Sequence, residues 1–280
     1  MPKPTTVLTK RHTLLVRITH WLNLASVWIL LMSGLQIFNA HPALYWGEAS
    51  TFERPWLSLG VAASAAGPRG MTTIGSARFD TNGVLGRSQD GARMINRGFP
   101  NWATLPGARN LAVGRRWHFF FAWVFVANGL IYLATTLLGG HFRRDLVPNR
   151  DQLRPRAIWH DIVEHAQLKF PKGEAARRYN VIQKLTYLAV ILVLLPGVAL
   201  TGMTMSPSLN ASLPFMLDLF GGRQSARSLH FVFANLIVLF VIVHVILVIL
   251  SGFWNNLRSM ITGRYAIEEA RGKFGEVWGI

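Results

Sequence analysis

The sequence predicts an all-α membrane protein, a four-transmembrane-helix bundle with both termini cytoplasmic and a long irregular periplasmic segment between the first two spans. Three observations carry that expectation. The 280 residues are 51% hydrophobic and only 15% charged, with a positive mean hydropathy, too apolar for an ordinary soluble domain of this length. Four runs, 18–38, 117–138, 181–201 and 229–250, are long enough to cross about 30 Å of hydrocarbon at about 1.5 Å per residue. These runs hold no acid and a single basic residue, Lys184, whereas the formal charge of +16 collects in the segments between them.

The first run follows Lys3, Lys10, Arg11 and Arg17, as a signal peptide would, but Phe38-Asn39-Ala40 at its end is no small-x-small cleavage site. An uncleaved span is expected. Residues 39–116 are rich in Gly, Pro, Ser and Trp (Pro42, Trp46, Pro55, Trp56, Gly67-Pro68, Pro100, Trp102, Pro106) and lack helical periodicity, which reads as an irregular periplasmic cap. Between the second and third spans, Ile158, Trp159, Ile162, Val163, Ala166 and Phe170 recur at helical spacing among charges, the pattern of a helix lying in the cytoplasmic interface. Short basic segments set orientation. The N-terminal tail, the 140–178 loop (Arg143, Arg144, Arg150, Arg154, Arg156, Lys169, Lys172, Arg177, Arg178) and the C-terminal tail (Arg258, Arg264, Arg271, Lys273) fall on one side of a four-span chain. The 202–226 connection carries only Arg223. Residues 1–280 thus form one membrane domain in a bacterial inner membrane. The basic residues read as topology signals toward a lipid bilayer; without any recognition signature, nucleic acid is not an expected partner.

Cysteine is absent, which excludes disulfides, iron–sulfur clusters and thiolate sites and leaves histidine, methionine or oxygen as metal ligands. Nine histidines remain. Four lie in the spans: His20 in the first, His118 in the second, His230 and His244 in the fourth. A span histidine is a functional hypothesis by default, although a lone one also serves as a helix–helix hydrogen-bond donor. Depth matches these four in pairs. The first span runs outward from His20 near the cytoplasmic face; the second and fourth start outside, which places His118 and His230 at the outer level. His244 lies fourteen residues further along, about 21 Å deeper. Fourteen residues at about 100° fall roughly 40° short of four turns, so His230 and His244 share a face. The expected pairs are His118 with His230 and His20 with His244, each the axial pair of a six-coordinate b-type haem, two haems in all, suited to electron transfer because neither position stays open. His12, His41, His141, His160 and His165 lie outside the spans, where a solvated or interfacial role is expected.

Arg17-x-x-His20, Arg115-x-x-His118 (with Arg116 adjacent) and Arg227-x-x-His230 put a cation and a histidine on one helical face at the membrane boundary. Haem propionates need such partners, though arginines also flank spans for topological reasons. Gly34 and Gly197 stand at the outer haem level, where a glycine lets a flat macrocycle approach the backbone or lets helices pack.

Arg17-Ile18-Thr19-His20-Trp21, Arg116-Trp117-His118, Tyr179-Asn180-x-x-Gln183-Lys184, and His230 with His244 resemble the di-haem cytochrome b subunits of formate dehydrogenase, nickel–iron hydrogenase and thiosulfate reductase, and the bacterial cytochromes b561, over all four spans. His41-Pro42-Ala43-Leu44-Tyr45-Trp46-Gly47-Glu48 and Gly98-Phe99-Pro100-Asn101-Trp102-Ala103 are most similar to subunits that accompany thiosulfate-reductase-like or molybdopterin sulfite-oxidase-like partners. The resemblance implies a quinone site beside the inner haem, with Asn180 and Gln183 as its amides. Those amides are placed to bond quinone carbonyls, or equally to cap the third helix. Lys184 reads as a snorkelling boundary lysine, with proton uptake as the alternative role. The expected role is an electron-transfer subunit, not itself the substrate-converting one, that links the quinone pool to a periplasmic redox subunit, a molybdenum-cofactor oxidoreductase, docked on residues 39–116. An autonomous cytochrome b561-type enzyme acting on a small diffusible redox species is the alternative. A histidine-lined metal-ion transporter would need acids along the spans, and they are missing.

Overall fold

The computed structural model describes residues 5–65, 67–140, 142–167 and 180–269. Of the residues invoked above, Lys3, His141, Lys169, Phe170, Lys172, Arg177, Arg178, Tyr179, Arg271 and Lys273 lie outside the described ones. In chain order the elements are β1 (Thr5–Lys10), α1 (Leu14–Phe38), β2 (Ala43–Leu44), β3 (Leu57–Ala62), β4 (Arg69–Ile74), β5 (Ala77–Asp80), β6 (Arg87–Asp90), β7 (Arg93–Asn96), α2 (Leu111–Leu138), α3 (Pro155–Ala166), α4 (Val181–Ala189), α5 (Leu195–Thr204), α6 (Pro207–Ser212), α7 (Phe215–Leu219), α8 (Arg223–Leu250), α9 (Phe253–Thr262) and β8 (Arg264–Glu269).

Among the described residues, four helices are long and apolar enough to cross a membrane: Leu14–Phe38, Leu111–Leu138, Val181–Thr204 and Arg223–Leu250. Each begins upstream of its apolar run or at its first residue, because the starts are set by capping groups in the flanking sequence. Thr13 Oγ1 accepts from Val16 N at the head of α1, and Asn110 Oδ1 from Val113 N at the head of α2. The third span is interrupted by a π turn, Val190–Leu194, directly before Pro196. Proline has no N–H to donate and its ring crowds the carbonyl of the preceding turn, so the helix widens there.

Two compact units result, one of Leu22–Gly129 and Leu194–Ile237, the other of Met1–Trp21, Leu130–Val193 and Val238–Ile280. The first contains the loop after α1, and here the all-α, irregular expectation is corrected. Strands β2-β3-β4-β5 form an antiparallel sheet, and β6-β7 a second hairpin. The cues are local: alternation along Leu57-Ser58-Leu59 buries both leucines, while Gly75-Ser76 and Gly91-Ala92 are two-residue hairpin turns whose glycines take φ of +58° and +59°. A fourfold cluster of Phe38, Leu44, Leu57 and Leu59 is the core of this unit, with Phe231 of α8 stacked on Phe38 at 5.1 Å.

Polar groups at the ends of α1 and α8 tie the loop down. Buried Arg97 donates to Gln36 Oε1 (2.7 Å), Thr104 Oγ1 (2.9 Å), Gly107 O (2.8 Å) and Asn101 Oδ1. Burial first, and then the charge of Arg109, push the Arg97 guanidinium below its ordinary pKa, with Asp90 opposing. Asn39 exchanges two bonds with the Phe99 backbone. The first amides of α8, at Gln224 and Ser225, donate to Gly47 O, so the loop supplies the acceptor that a helix N-terminus lacks. Ser228 Oγ donates to Tyr45 O and accepts from Trp56 Nε1.

In the other unit β1 pairs antiparallel with β8, from Thr5 opposite Glu269 to Lys10 opposite Arg264. Gly252 (φ +112°) turns the chain into α9, and Gly263 (φ +79°) ends it; the Gly263 carbonyl then accepts from Arg11 N. Helix α3 abuts the start of α4, where Asp161 Oδ2 accepts from Val181 N at 2.9 Å.

Candidate functional site

In the unit that contains the sheet, α2 presents His118 and α8 presents His230, with ring centroids 6.2 Å apart and planes at 66°. Each imidazole is held through Nδ1. His118 Nδ1 lies 3.1 Å from Leu30 O and 3.1 Å from Ser33 Oγ, both on α1; His230 Nδ1 lies 2.9 Å from Val198 O and 3.3 Å from Thr201 Oγ1, both on α5. A carbonyl only accepts, so Nδ1 carries the proton and the lone pair is left on Nε2, the tautomer a metal ligand requires. Close approach depends on two glycines. A Cβ at Gly34 would stand 3.2 Å from His118 Cε1, and one at Gly202 would stand 3.1 Å from His230 Cε1.

In the other unit α1 presents His20 and α8 presents His244, with centroids 6.4 Å apart and planes at 62°. Trp21 meets His20 edge-on at 5.5 Å, and Phe240 stacks on His244 at 5.7 Å. Trp21 Nε1 donates to Met260 O of α9. Among the described residues neither ring makes a hydrogen bond.

Both spacings suit one metal between two imidazoles. A metal–nitrogen bond of about 2 Å on each side, plus about 1 Å from each ligating nitrogen to its ring centre, separates the centroids by about 6 Å. Direct imidazole stacking would bring them closer, and a bridging water would push them apart. The two imidazoles in each unit fit a metal-centred group held between them.

The family model of the prokaryotic cytochrome b561 matches residues 11–263, nearly the whole chain. The chain belongs to that family. It is similar to a protein of Azospira oryzae named putative protein-methionine-sulfoxide reductase subunit YedZ1, 27% identical over 248 residues, which cover 89% of this chain and 93% of that one. No solved structure matches. Membership makes this a multi-pass membrane protein of cytochrome b561-type electron transfer, and it implies b-type haem.

Within this cytochrome b561-family chain, the remaining candidate residues fall in varied surroundings. Arg17 Nη1 donates to Ile261 O at the end of α9. Arg115 lies over the Phe119 ring at 5.6 Å, and Arg116 beside it is exposed. Arg227 directs Nη1 to Ala43 O (2.8 Å) and Nη2 to His41 O (2.5 Å), which fastens the loop to α8. Gly34 abuts a histidine; Gly197 instead faces Phe233, whose ring would stand 2.8 Å from an added Cβ. Asn180 and Gln183 form a reciprocal capping box at the start of α4, Gln183 N donating to Asn180 Oδ1 and Asn180 N to Gln183 Oε1. Lys184 does not snorkel: it is buried and donates to Val147 O and Gln152 Oε1.

Ser33, Thr201 and Gly202 escaped the sequence reading. Their signal was present as a repeated pair, Ser33-Gly34 and Thr201-Gly202, late in the first and third spans.

Proposed function

We propose that the chain is the electron-transfer subunit of a bacterial inner-membrane oxidoreductase, with two b-type haems held by His118–His230 and His20–His244. The observation that carries this reading is the recurrence of one ring spacing, near 6 Å, in two separate histidine pairs. Bound there, haem would supply one-electron transfer chemistry. The histidines would hold it through their ring nitrogens, and the glycines beside His118 and His230 keep those rings free of side-chain crowding. Positively charged short segments support cytoplasmic termini, with the His20–His244 pair on that side and the folded 39–116 segment on the periplasmic side.

The folded 39–116 segment, pinned by Arg97, Asn39 and Arg227, supports a rigid docking surface, and Trp46, Phe52 and Trp102 of that segment are exposed. The name of the Azospira relative supports a partner that reduces protein methionine sulfoxide, and the sequence resemblance supports a molybdenum cofactor in that partner. The decisive test is the purified protein itself. A reduced-minus-oxidised spectrum of b type with about two haems per chain is expected; a colourless protein sinks the proposal.

On the inner side the proposal includes a quinone at Asn180 and Gln183. Capping and quinone contact make different demands on Asn180. Asn180→Ser keeps a capping oxygen but removes the amide, whereas Asn180→Ala removes both and costs about 1 kcal/mol of helix stability. Both variants are expected to keep both haems and to slow reduction by quinol about tenfold or more. Unchanged stopped-flow kinetics in Asn180→Ser would assign the residue to the cap alone.

The glycines make a further expectation. Gly202→Val puts branched carbon where a single Cβ is already tight against His230, so haem content is expected to fall to about half; Gly129→Val, where an added Cβ meets nothing within 4 Å, is expected to leave it unchanged. Pyridine haemochrome assay against protein concentration reads both.

A further inference from the structure

The two helices flanking the His118–His230 pair carry the same device. On α1, Leu30 contributes a carbonyl, Ser33 a hydroxyl and Gly34 the gap; on α5, Val198, Thr201 and Gly202 do the same at the same spacing. Positions i, i+3 and i+4 share one helix face, so each set meets one imidazole. The hydroxyl protons are already used: Ser33 Oγ donates to Ile29 O at 2.6 Å, and Thr201 Oγ1 donates to Gly197 O at 2.6 Å. What each oxygen has left is lone pairs, and these face an Nδ1–H. Back-bonding to the preceding turn is common for helical Ser and Thr and by itself implies nothing. At Ser33 and Thr201 it recurs at matched positions, each time with a histidine at the free side of the oxygen. His20 and His244 have no such acceptors among the described residues.

We propose that Ser33 and Thr201 are positioning residues that tune the His118–His230 haem, a proposal that rests on the two-haem reading above. An acceptor on Nδ1–H makes the imidazole a stronger donor through Nε2, as outer partners do for metal-bound histidines generally. A stronger donor favours ferric over ferrous iron and so lowers the reduction potential. Two acceptors per ring also fix the imidazole planes, which stand at 66° to each other. The device acts on one haem of the two.

The test is a spectroelectrochemical redox titration of the full-length protein, with the two components assigned by His244→Ala, which leaves only the His118–His230 haem. Ser33→Ala and Thr201→Val are each expected to shift the reduction equilibrium of that haem about three- to tenfold toward the ferrous form, a tenfold change being about 59 mV for one electron. The His20–His244 component is expected to move less than about twofold. Ser33→Thr and Thr201→Ser, which restore the hydroxyl, are expected to titrate as wild type. An unmoved His118–His230 component, or equal movement of both, overturns the proposal. If Ser33→Ala or Thr201→Val does not retain haem, the hydroxyl-restoring variants decide: retention at the wild-type potential supports the tuning role, and haem loss there too overturns it. A wild-type protein with fewer than two six-coordinate haems defeats the underlying reading before any variant is compared.

Discussion

Replacing His118 by alanine is expected to lower haem content from about two to about one per chain, and replacing His230 is expected to remove the same haem. Each imidazole is the other's facing ring at 6.2 Å. The double variant is therefore expected to lose no more than either single one, the non-additivity of groups that act as a unit. His20→Ala and His244→Ala are expected to remove the other haem in the same manner. Haemochrome assay and redox titration of the four variants distinguish the components. Loss of different haems from His118→Ala and His230→Ala would refute the pairing. Because the pairs sit in separate compact units, each single variant is expected to keep the spectrum of the untouched pair while transmembrane electron transfer stops.

The second large effect concerns the 39–116 segment. Arg97→Ala leaves Gln36 Oε1, Thr104 Oγ1, Asn101 Oδ1 and Gly107 O without the cation that gathers them, in a position where Arg97 is only 5% exposed. Each buried acceptor left unsatisfied costs about 1–3 kcal/mol, so a loss of about 3–5 kcal/mol is expected, the costs not being additive. Arg93→Ala, on an exposed strand position, is expected to fall within about 0.5 kcal/mol of wild type. Thermal unfolding in detergent and limited proteolysis of 39–116 read the difference. Equal protease resistance in the two variants would show that Arg97 does not hold the segment. Partner binding is expected to weaken in Arg97→Ala while haem content stays unchanged, since the acceptors facing His118 and His230 are Leu30, Ser33, Val198 and Thr201.

The spans were legible because a bilayer demands long apolar runs with every backbone group satisfied internally, and helices meet that demand with little help from sequence detail. The pairing expected of His230 and His244 with different partners came from the same source: a continuous helix converts residue spacing directly into angle and depth. The sheet of residues 39–116 was not read, because abundant Gly, Pro and Trp outweighed short alternations such as Leu57–Leu59 and the hairpin turns at Gly75-Ser76 and Gly91-Ala92. The capping alternative for Asn180 and Gln183 was visible in the sequence, since a capping box needs only four consecutive residues. The burial of Lys184 was not, since its partners Val147 and Gln152 come from another segment.

By itself, then, the sequence determined four membrane-length helices, the absence of thiolate chemistry and the placement of four histidines along those helices, all properties that follow from local composition and helical periodicity. Tertiary structure alone decided what surrounds them. The acceptors for His118 and His230 stand 88 and 32 residues away in the chain at Leu30 and Val198, and Arg227 turns its guanidinium to the His41 and Ala43 carbonyls. A buried N–H must take an acceptor from whatever backbone the fold brings beside it, and that choice is made by packing between distant segments.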